Sequence, residues 1–199
     1  MVKSKIEPQQ VSDKETEILL GLLEGCLELP GDAVELGCYR GDTSLLFERL
    51  LERMDSKKRL WIYDSFEGLP EKTAEDMSVA GEQFQAGELL VTKREVVERF
   101  KKAGLRMPIV KKGFFEDLDK EKDLPGEIGF GFLDGDLYGS IKTSLRLCAP
   151  KMVTGGILVV HDYNNPELPG VSRAVEEFLR GHPKAKLEIR ESLAILRGI

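Results

Sequence analysis

The sequence predicts an α/β fold, a mostly parallel sheet with helices on both faces. Three observations lead there. Short apolar segments alternate with amphipathic ones along the chain, as strand–helix–strand units require. The first apolar segment runs through a glycine turn straight into a helical pattern, in "VELGCYRGDTS" (residues 34–44). And the carboxyl ends of four apolar segments carry acids: Glu35, Asp64, Asp134 and Asp162. Parallel sheets bind ligands beyond the carboxyl ends of their strands, so four acids on that edge mark a candidate site.

The elements follow in order. Residues 15–29 carry Ile18, Leu19, Leu22, Leu23, Cys26 and Leu27 at three-and-four spacing, which predicts an amphipathic helix. Ser12 and Glu15 offer a capping box at its start, and Pro30-Gly31 ends it. "AVELG" is a buried strand, followed by a helix over 43–53. "LWIYD" (60–64) is a second strand. The polar and aromatic stretch after it, 65–92, is long for a connection in a compact domain and reads as a lid-like insertion. Its hinge candidates are the glycines that flank Phe84 in "GEQFQAG". A helix over 92–104 starts with Thr92 and Glu95 as a second capping box. "MPIVKKG" and "IGFGFLDGD" are the third and fourth strands. A helix over 140–148 and a turn over 150–156 lead to the fifth strand, "GILVVHD". A last helix, 171–180, precedes a closing pair, "KLEIRES" and "LAILRGI".

Composition limits the function classes. The chain has 199 residues, enough for one domain with a sizeable core, and 41% are hydrophobic against 32% charged. The net charge of −6 argues against a nucleic-acid surface. Cys26, Cys38 and Cys148 are odd in number and form no CxxC pair, so they read as reduced thiols that fill the core. No apolar run approaches the roughly 20 residues that cross a bilayer, and "MVKSKIEPQQVSDKE" has no signal-peptide core. A soluble, cytoplasmic protein is expected.

The first loop separates two ligand classes. A dinucleotide fingerprint needs G-x-G-x-x-G, but Cys38 follows Gly37 and the next glycine is Gly41. The phosphate-binding lysine of a Walker loop is also missing. Glu35 brings negative charge to a place where a pyrophosphate would be repelled and a sulfonium or amine welcomed. Asp64 closes the second strand where an acid accepts hydrogen bonds from a ribose diol. Together these favour S-adenosylmethionine over NAD. The bland alternatives are a solvated glutamate for Glu35 and an N-cap for Asp64.

"VELGCYRGDTS", "YDSFEGLP", "FQAGELLVTKREVVERF", "VKKGFFEDL", "FLDGDLYGS" and "GGILVVHDY" come in the order and spacing of the macrocin O-methyltransferase (TylF-like) family, which the chain resembles over residues 15–198. The resemblance implies a Rossmann-like class I methyltransferase spanning 1–199 as a single domain, with 1–30 as an N-terminal helical cap. It implies a seven-stranded, mostly parallel sheet, its last strand antiparallel and inserted beside the fifth. Glu35, Gly37 and Gly41 would line the donor site, with Ser44 near the methionine carboxylate. Asp64 would hold the ribose beside Ser65 and Phe66, and Gly113 and Phe114 would flank the adenine. Asp134 would sit near the sulfonium and the amine, and Tyr39 would face the reaction centre. The expected reaction is O-methylation of a small hydroxyl-bearing acceptor, a sugar, polyketide or phenol. Neither nucleic acid nor membrane is an expected partner, and a homodimer is the oligomer allowed for. The chain begins only about thirty residues before its first strand, which would leave little N-terminal cover for a macrolide sugar.

One position departs from the family pattern. Its metal site is an acid at the start of "DGD" and two adjacent acids after the fifth strand. Asp134 and Asp162 match, but the first of the adjacent pair is His161. Magnesium prefers oxygen ligands, whereas imidazole suits zinc, manganese or iron-group ions. Three roles stay open for His161: metal ligand with Asp134 and Asp162, catalytic base, or packing residue. His182 lies in a surface loop before a proline and is not a candidate catalyst. Two rival functions remain, an NAD-dependent oxidoreductase and a donor-binding protein that has lost its chemistry through His161.

Overall fold

A computed structural model describes residues 10–78 and 83–199. Its strands are β1 (Asp32–Leu36), β2 (Leu60–Asp64), β3 (Ile109–Lys112), β4 (Ile128–Leu133), β5 (Met152–Val160), β6 (Lys186–Arg190) and β7 (Leu193–Arg197). They form one sheet in the order β3-β2-β1-β4-β5-β7-β6. Strands β1 to β5 are parallel, and β7 runs antiparallel between β5 and β6. This is the mostly parallel seven-stranded sheet expected, with the last strand beside the fifth.

Side-chain alternation explains the three layers. Leu193 and Ile195 of β7 join one core, while Ala194 and Leu196 join the other. The first core is closed by α1 (Asp13–Gly25), α2 (Asp42–Arg53) and α3 (Lys93–Ala103), the second by α4 (Tyr138–Cys148) and α5 (Pro169–Gly181). Phe47 of α2 meets Phe130 and Phe132 of β4 edge-on, with ring centres 5.5 and 6.0 Å apart. All three cysteines are buried and free. Among the described residues no helix is long and apolar enough to cross a membrane.

Several boundaries differ from the expected ones, three of them for reasons the structure shows. Helix α1 ends at Gly25 with Cys26 as its C-cap, and tight turns carry the chain on to Leu29. Strand β5 begins at Met152, inside the expected turn. Ile128 pairs Met152 but Phe130 pairs Ile157, so β5 carries a bulge, with Gly155 at φ 86° inside it. Helix α4 starts at Tyr138, earlier than its own sequence suggests, because its cap comes from a distant residue. The buried Asp76 accepts the Tyr138 amide at 2.6 Å, and no side chain can grow from Gly170 without striking Asp76 and Tyr138.

The same contact changes the reading of the insertion. Residues 73–78 are docked on the body: Asp76 caps α4, Arg173 donates to the Glu75 carbonyl, and Ser78 donates to the Pro166 carbonyl. The base of the insertion is pinched where the amides of Leu69 and Gly87 donate to the carbonyls of Glu88 and Leu69, each at 2.9 Å. Of the expected lid, residues 79–82 lie outside the described residues, as do residues 1–9 of the expected N-terminal cap.

At the amino-terminal edge of the sheet a single cation fastens the entry to β1. Lys58 is buried, and its ammonium donates to the carbonyls of Leu29, Pro30 and Gly31. Replacing it, Lys58→Met, leaves three inward carbonyls without their donor. The expected loss is about 2–4 kcal/mol of unfolding free energy, read from urea denaturation. A variant as stable as the parent would show that the three bonds hold nothing.

Candidate active site

The sheet reverses its strand order between β1 and β4, and there the chain after β4 is tied back to the end of β1. The Asp134 amide donates to the Leu36 carbonyl at 2.8 Å, while on the other side the Gly37 amide, just after β1, donates to the Tyr63 carbonyl of β2 at 2.9 Å. Gly37 has φ 93°, and a Cβ on it would overlap the Asp134 carbonyl oxygen. Only glycine permits this approach. Eight described non-glycine residues have positive φ, and four of them, Tyr39, Phe66, Asp136 and Asp162, sit in the loops after β1, β2, β4 and β5. Backbone strain therefore gathers at one edge, as it does at functional sites.

An open cavity lies along this edge. Glu35, Gly37, Tyr39 and Asp64 form one part of its wall, and Ser65, Phe114, Asp134, His161 and Asp162 another. The other expected residues stand behind that wall. Gly41 is the left-handed N-cap of α2. Gly113 makes the turn after β3, its amide donating to the Asp64 carbonyl. Phe66 is packed in the core and gives its amide to Asp64 Oδ1 at 2.8 Å. Ser44 is wholly buried and donates to Glu35 Oε2, so its hydroxyl is already committed to that carboxyl.

Glu35 departs from the expected negative charge. It is 1% exposed, and burial pushes its pKa up to about 8 against the pull of the Ser44 hydroxyl, with Asp134 and Asp64 adding to the rise. In the free protein at neutral pH this carboxyl holds its proton. Asp64 solves the same problem with amides. Its Oδ2 accepts the Cys38 and Tyr39 amides at 3.1 and 3.0 Å, and its Oδ1 accepts the Phe66 amide. Burial still raises its pKa, and the three amides oppose that rise. A carboxylate has about four lone-pair sites, so one remains for a ligand hydroxyl.

Beyond Asp134 the acids close around His161. Nδ1 of the buried ring lies 2.9 Å from Asp134 Oδ1 and 3.2 Å from Asp162 Oδ2, and Nε2 lies 3.7 Å from Glu15 Oε1. Burial alone would depress the pKa of this ring. The charge of Asp134 and the nearby carboxylates of Asp162 and Glu15 outweigh it and hold the pKa well above 6.5. An imidazolium has no lone pair, so His161 would have to lose a proton before it could act as the base that sequence reasoning allowed. Asp136, half-buried in the same loop, is raised well above the usual carboxyl range by desolvation first and by Asp134 and Asp162 next.

Three of these residues stand close enough together to hold a divalent ion. Ligand atoms of Asp134, His161 and Asp162 all lie within 4.8 Å of one another. Two carboxylates and one imidazole, with Glu15 behind the far ring nitrogen, match the donor set of a manganese- or iron-group ion better than that of magnesium. The ring must give up a proton before Nδ1 can bind metal.

Sequence reasoning missed part of the wall. Gln10 and Val11 just before α1, Thr16 in its first turns and Leu89 in the insertion also line the cavity. The periodicity of α1 marks only the face it buries, and no local pattern shows that its first turn reaches His161.

The sequence profile of the family described as Macrocin-O-methyltransferase (TylF) matches residues 25–192. Two characterised relatives come from Streptomyces. The 8-demethyl-8-(2,3-dimethoxy-alpha-L-rhamnosyl)-tetracenomycin-C 4'-O-methyltransferase of Streptomyces olivaceus is 34% identical over 157 residues, 71% of this chain and 58% of the relative. The demethyldecarbamoylnovobiocin O-methyltransferase of Streptomyces niveus is 32% identical over 173 residues, 83% of this chain and 62% of the relative. The chain thus spans about three fifths of the length of each. Among solved structures, the O-methyltransferase NovP superposes with a TM-score of 0.79 at 27% identity, covering 92% of this chain and 79% of that one. An O-methyltransferase from Bacillus cereus in complex with SAH shares the fold at a TM-score of 0.66 and 14% identity, over 96% of this chain and 82% of that one.

Glu35 gives the site a measurable pH dependence. The folded protein keeps this proton up to about 8, whereas the ordinary carboxyl value is 4.5. A raised carboxyl pKa makes the folded state the better proton binder between those values, so stability falls as pH rises through that window. Glu35→Gln should flatten that part of the stability profile and gain at pH 8 relative to the parent, by about 1.4 kcal/mol for every tenfold difference in proton affinity between the folded and unfolded carboxyl. Urea midpoints from pH 5 to 9 read the slope, and identical slopes would contradict the assignment.

Proposed function

The chain belongs to the macrocin O-methyltransferase (TylF) family, and from that premise we propose that it transfers the methyl group of S-adenosylmethionine to a hydroxyl oxygen of a small-molecule acceptor, a sugar, polyketide or phenol. The observation that carries the reading is the acid-walled cavity at the strand ends, which lacks a phosphate-binding glycine loop and offers Asp64, Asp134 and Asp162 instead. The net charge of −6 and that wall suit a small molecule better than nucleic acid.

In this reading each residue has a physical task. Asp64 uses its remaining lone pair on a ribose hydroxyl, and its three amide bonds fix where that hydroxyl sits. Phe114 and the neighbouring Phe115, both on the cavity wall, supply apolar surface for the adenine. Gly37 lets the donor lie close to the backbone. Glu35 and Asp134 face the amine and the sulfonium, and Ser44 acts through Glu35. Tyr39 borders the reaction centre. The acceptor oxygen attacks the methyl carbon in line, the C–S bond breaks, and the sulfonium becomes the neutral thioether of S-adenosylhomocysteine. The acceptor's proton passes to a carboxylate, Asp134 or Asp162, or to His161 once its ring has given up a proton. The donor is chemically activated, so alignment supplies much of the acceleration, on the order of 7–11 kcal/mol.

A divalent ion held by Asp134, His161 Nδ1 and Asp162 would supply a Lewis acid that lowers the pKa of the acceptor hydroxyl. With an imidazole in the set, Mn2+ should bind more tightly than Mg2+. His161→Asp should reverse or abolish that preference, which titration calorimetry of the two ions on both proteins would reveal. Equal affinities in the parent would remove the case for a nitrogen ligand.

Calorimetric titration with S-adenosylhomocysteine and with NADH tests the donor class. The expected outcome is saturable binding of the first and none of the second. Binding of NADH alone would favour an oxidoreductase.

A further inference from the structure

Glu15 carries more connections than a helix cap needs. The capping box occupies Oε2, which accepts the Ser12 amide at 2.9 Å and the Ser12 hydroxyl at 2.7 Å. Oε1 is spent elsewhere, on the amide and hydroxyl of Ser192, 177 residues away in the turn between β6 and β7. That second pair of bonds orients the carboxylate and directs Oε1 at His161 Nε2, 3.7 Å away. Glu15 is 7% exposed and His161 5%, so bulk water does not weaken the contact.

We propose that Glu15 is a positioning residue for His161, fixing the ring so that Nδ1 faces Asp134 and Asp162 in the orientation that can join a metal ion. Turning the ring by half a rotation would set Cδ2 against Asp134 and Cε1 against Glu15. The contacts on the two sides therefore select the same orientation. The ring is confined on its flank as well, with Phe132 at 5.9 Å between ring centres. A carboxylate behind the non-ligating nitrogen also raises the ring's strength as a ligand. The cap of the first helix and the chemistry at the end of β5 are in this way one unit. The proposal rests on the metal-assisted reading of the site.

Two variants of the full chain separate positioning from capping. Glu15→Gln weakens both functions, whereas Ser12→Ala removes a capping partner and leaves Oε1 with its Ser192 bonds. The chain has only two histidines, so its ring-nitrogen NMR spectrum contains two imidazoles, His161 and His182. Ring-nitrogen shifts of the metal-free proteins, Co2+ affinity from absorbance titration and S-adenosylhomocysteine affinity are measured on each. The expected result is a moved His161 Nε2 signal and about tenfold weaker Co2+ binding in Glu15→Gln, with both unchanged in Ser12→Ala. The proposal is overturned if Glu15→Gln keeps the parent Nε2 signal and Co2+ affinity, if Ser12→Ala reproduces both changes, or if the parent binds no Co2+. Loss of S-adenosylhomocysteine binding in the parent would instead count against the donor assignment, which the ring-nitrogen signals do not touch.

Discussion

Carboxylates crowded at one sheet edge are the constraint from which the rest of this site follows. Uncompensated acids this close would raise one another's pKa and destabilise the fold. Each is compensated in a different way. Glu35 keeps a proton beside the Ser44 hydroxyl. Asp64 collects three backbone amides. Asp134 and Asp162 share one imidazolium nitrogen, and Glu15 combines two serines with the other ring nitrogen. The loops after β1 and β4 can meet only because Gly37 has no side chain, so the cluster depends on backbone geometry as much as on charge.

This compensation bears on ligand choice. An edge that stores protons and borrows one internal cation is prepared for a cationic guest, and a sulfonium with an ammonium group is such a guest. A phosphate would meet the same carboxylates without a glycine loop or lysine to receive it. His161 fits the scheme in both of its forms. Protonated, it balances Asp134 and Asp162; deprotonated, its Nδ1 would be free to join those two carboxylates on a metal ion.

Much of the fold could be read from local pattern. Both capping boxes appear where Ser12-Glu15 and Thr92-Glu95 suggest, because a cap is decided within one turn. Strand β2 falls on "LWIYD" because its alternation and flanking breaks are both local. The boundaries that differ are set by remote residues. Helix α4 begins at Tyr138 because Asp76 reaches it from the insertion, and β5 begins at Met152 because β4 pairs on across a bulge. In the site, the strand-end acids were legible as types, but their charge states were not. Glu35 looks like an anion until its burial is known, and the three carboxylates around His161 come from elements that no local pattern brings together. Glu15 was legible only as a cap, since Ser192 is 177 residues distant.

The claim that a cationic ligand is what the stored charge awaits can be tested by counting protons. Calorimetry of S-adenosylmethionine binding at pH 7, repeated in buffers of different ionisation enthalpy, gives the number released. Net proton release is expected in the parent as Glu35 ionises against the incoming cation, with a smaller release in Glu35→Gln. Binding with no proton release, or with the same release in both proteins, would contradict it.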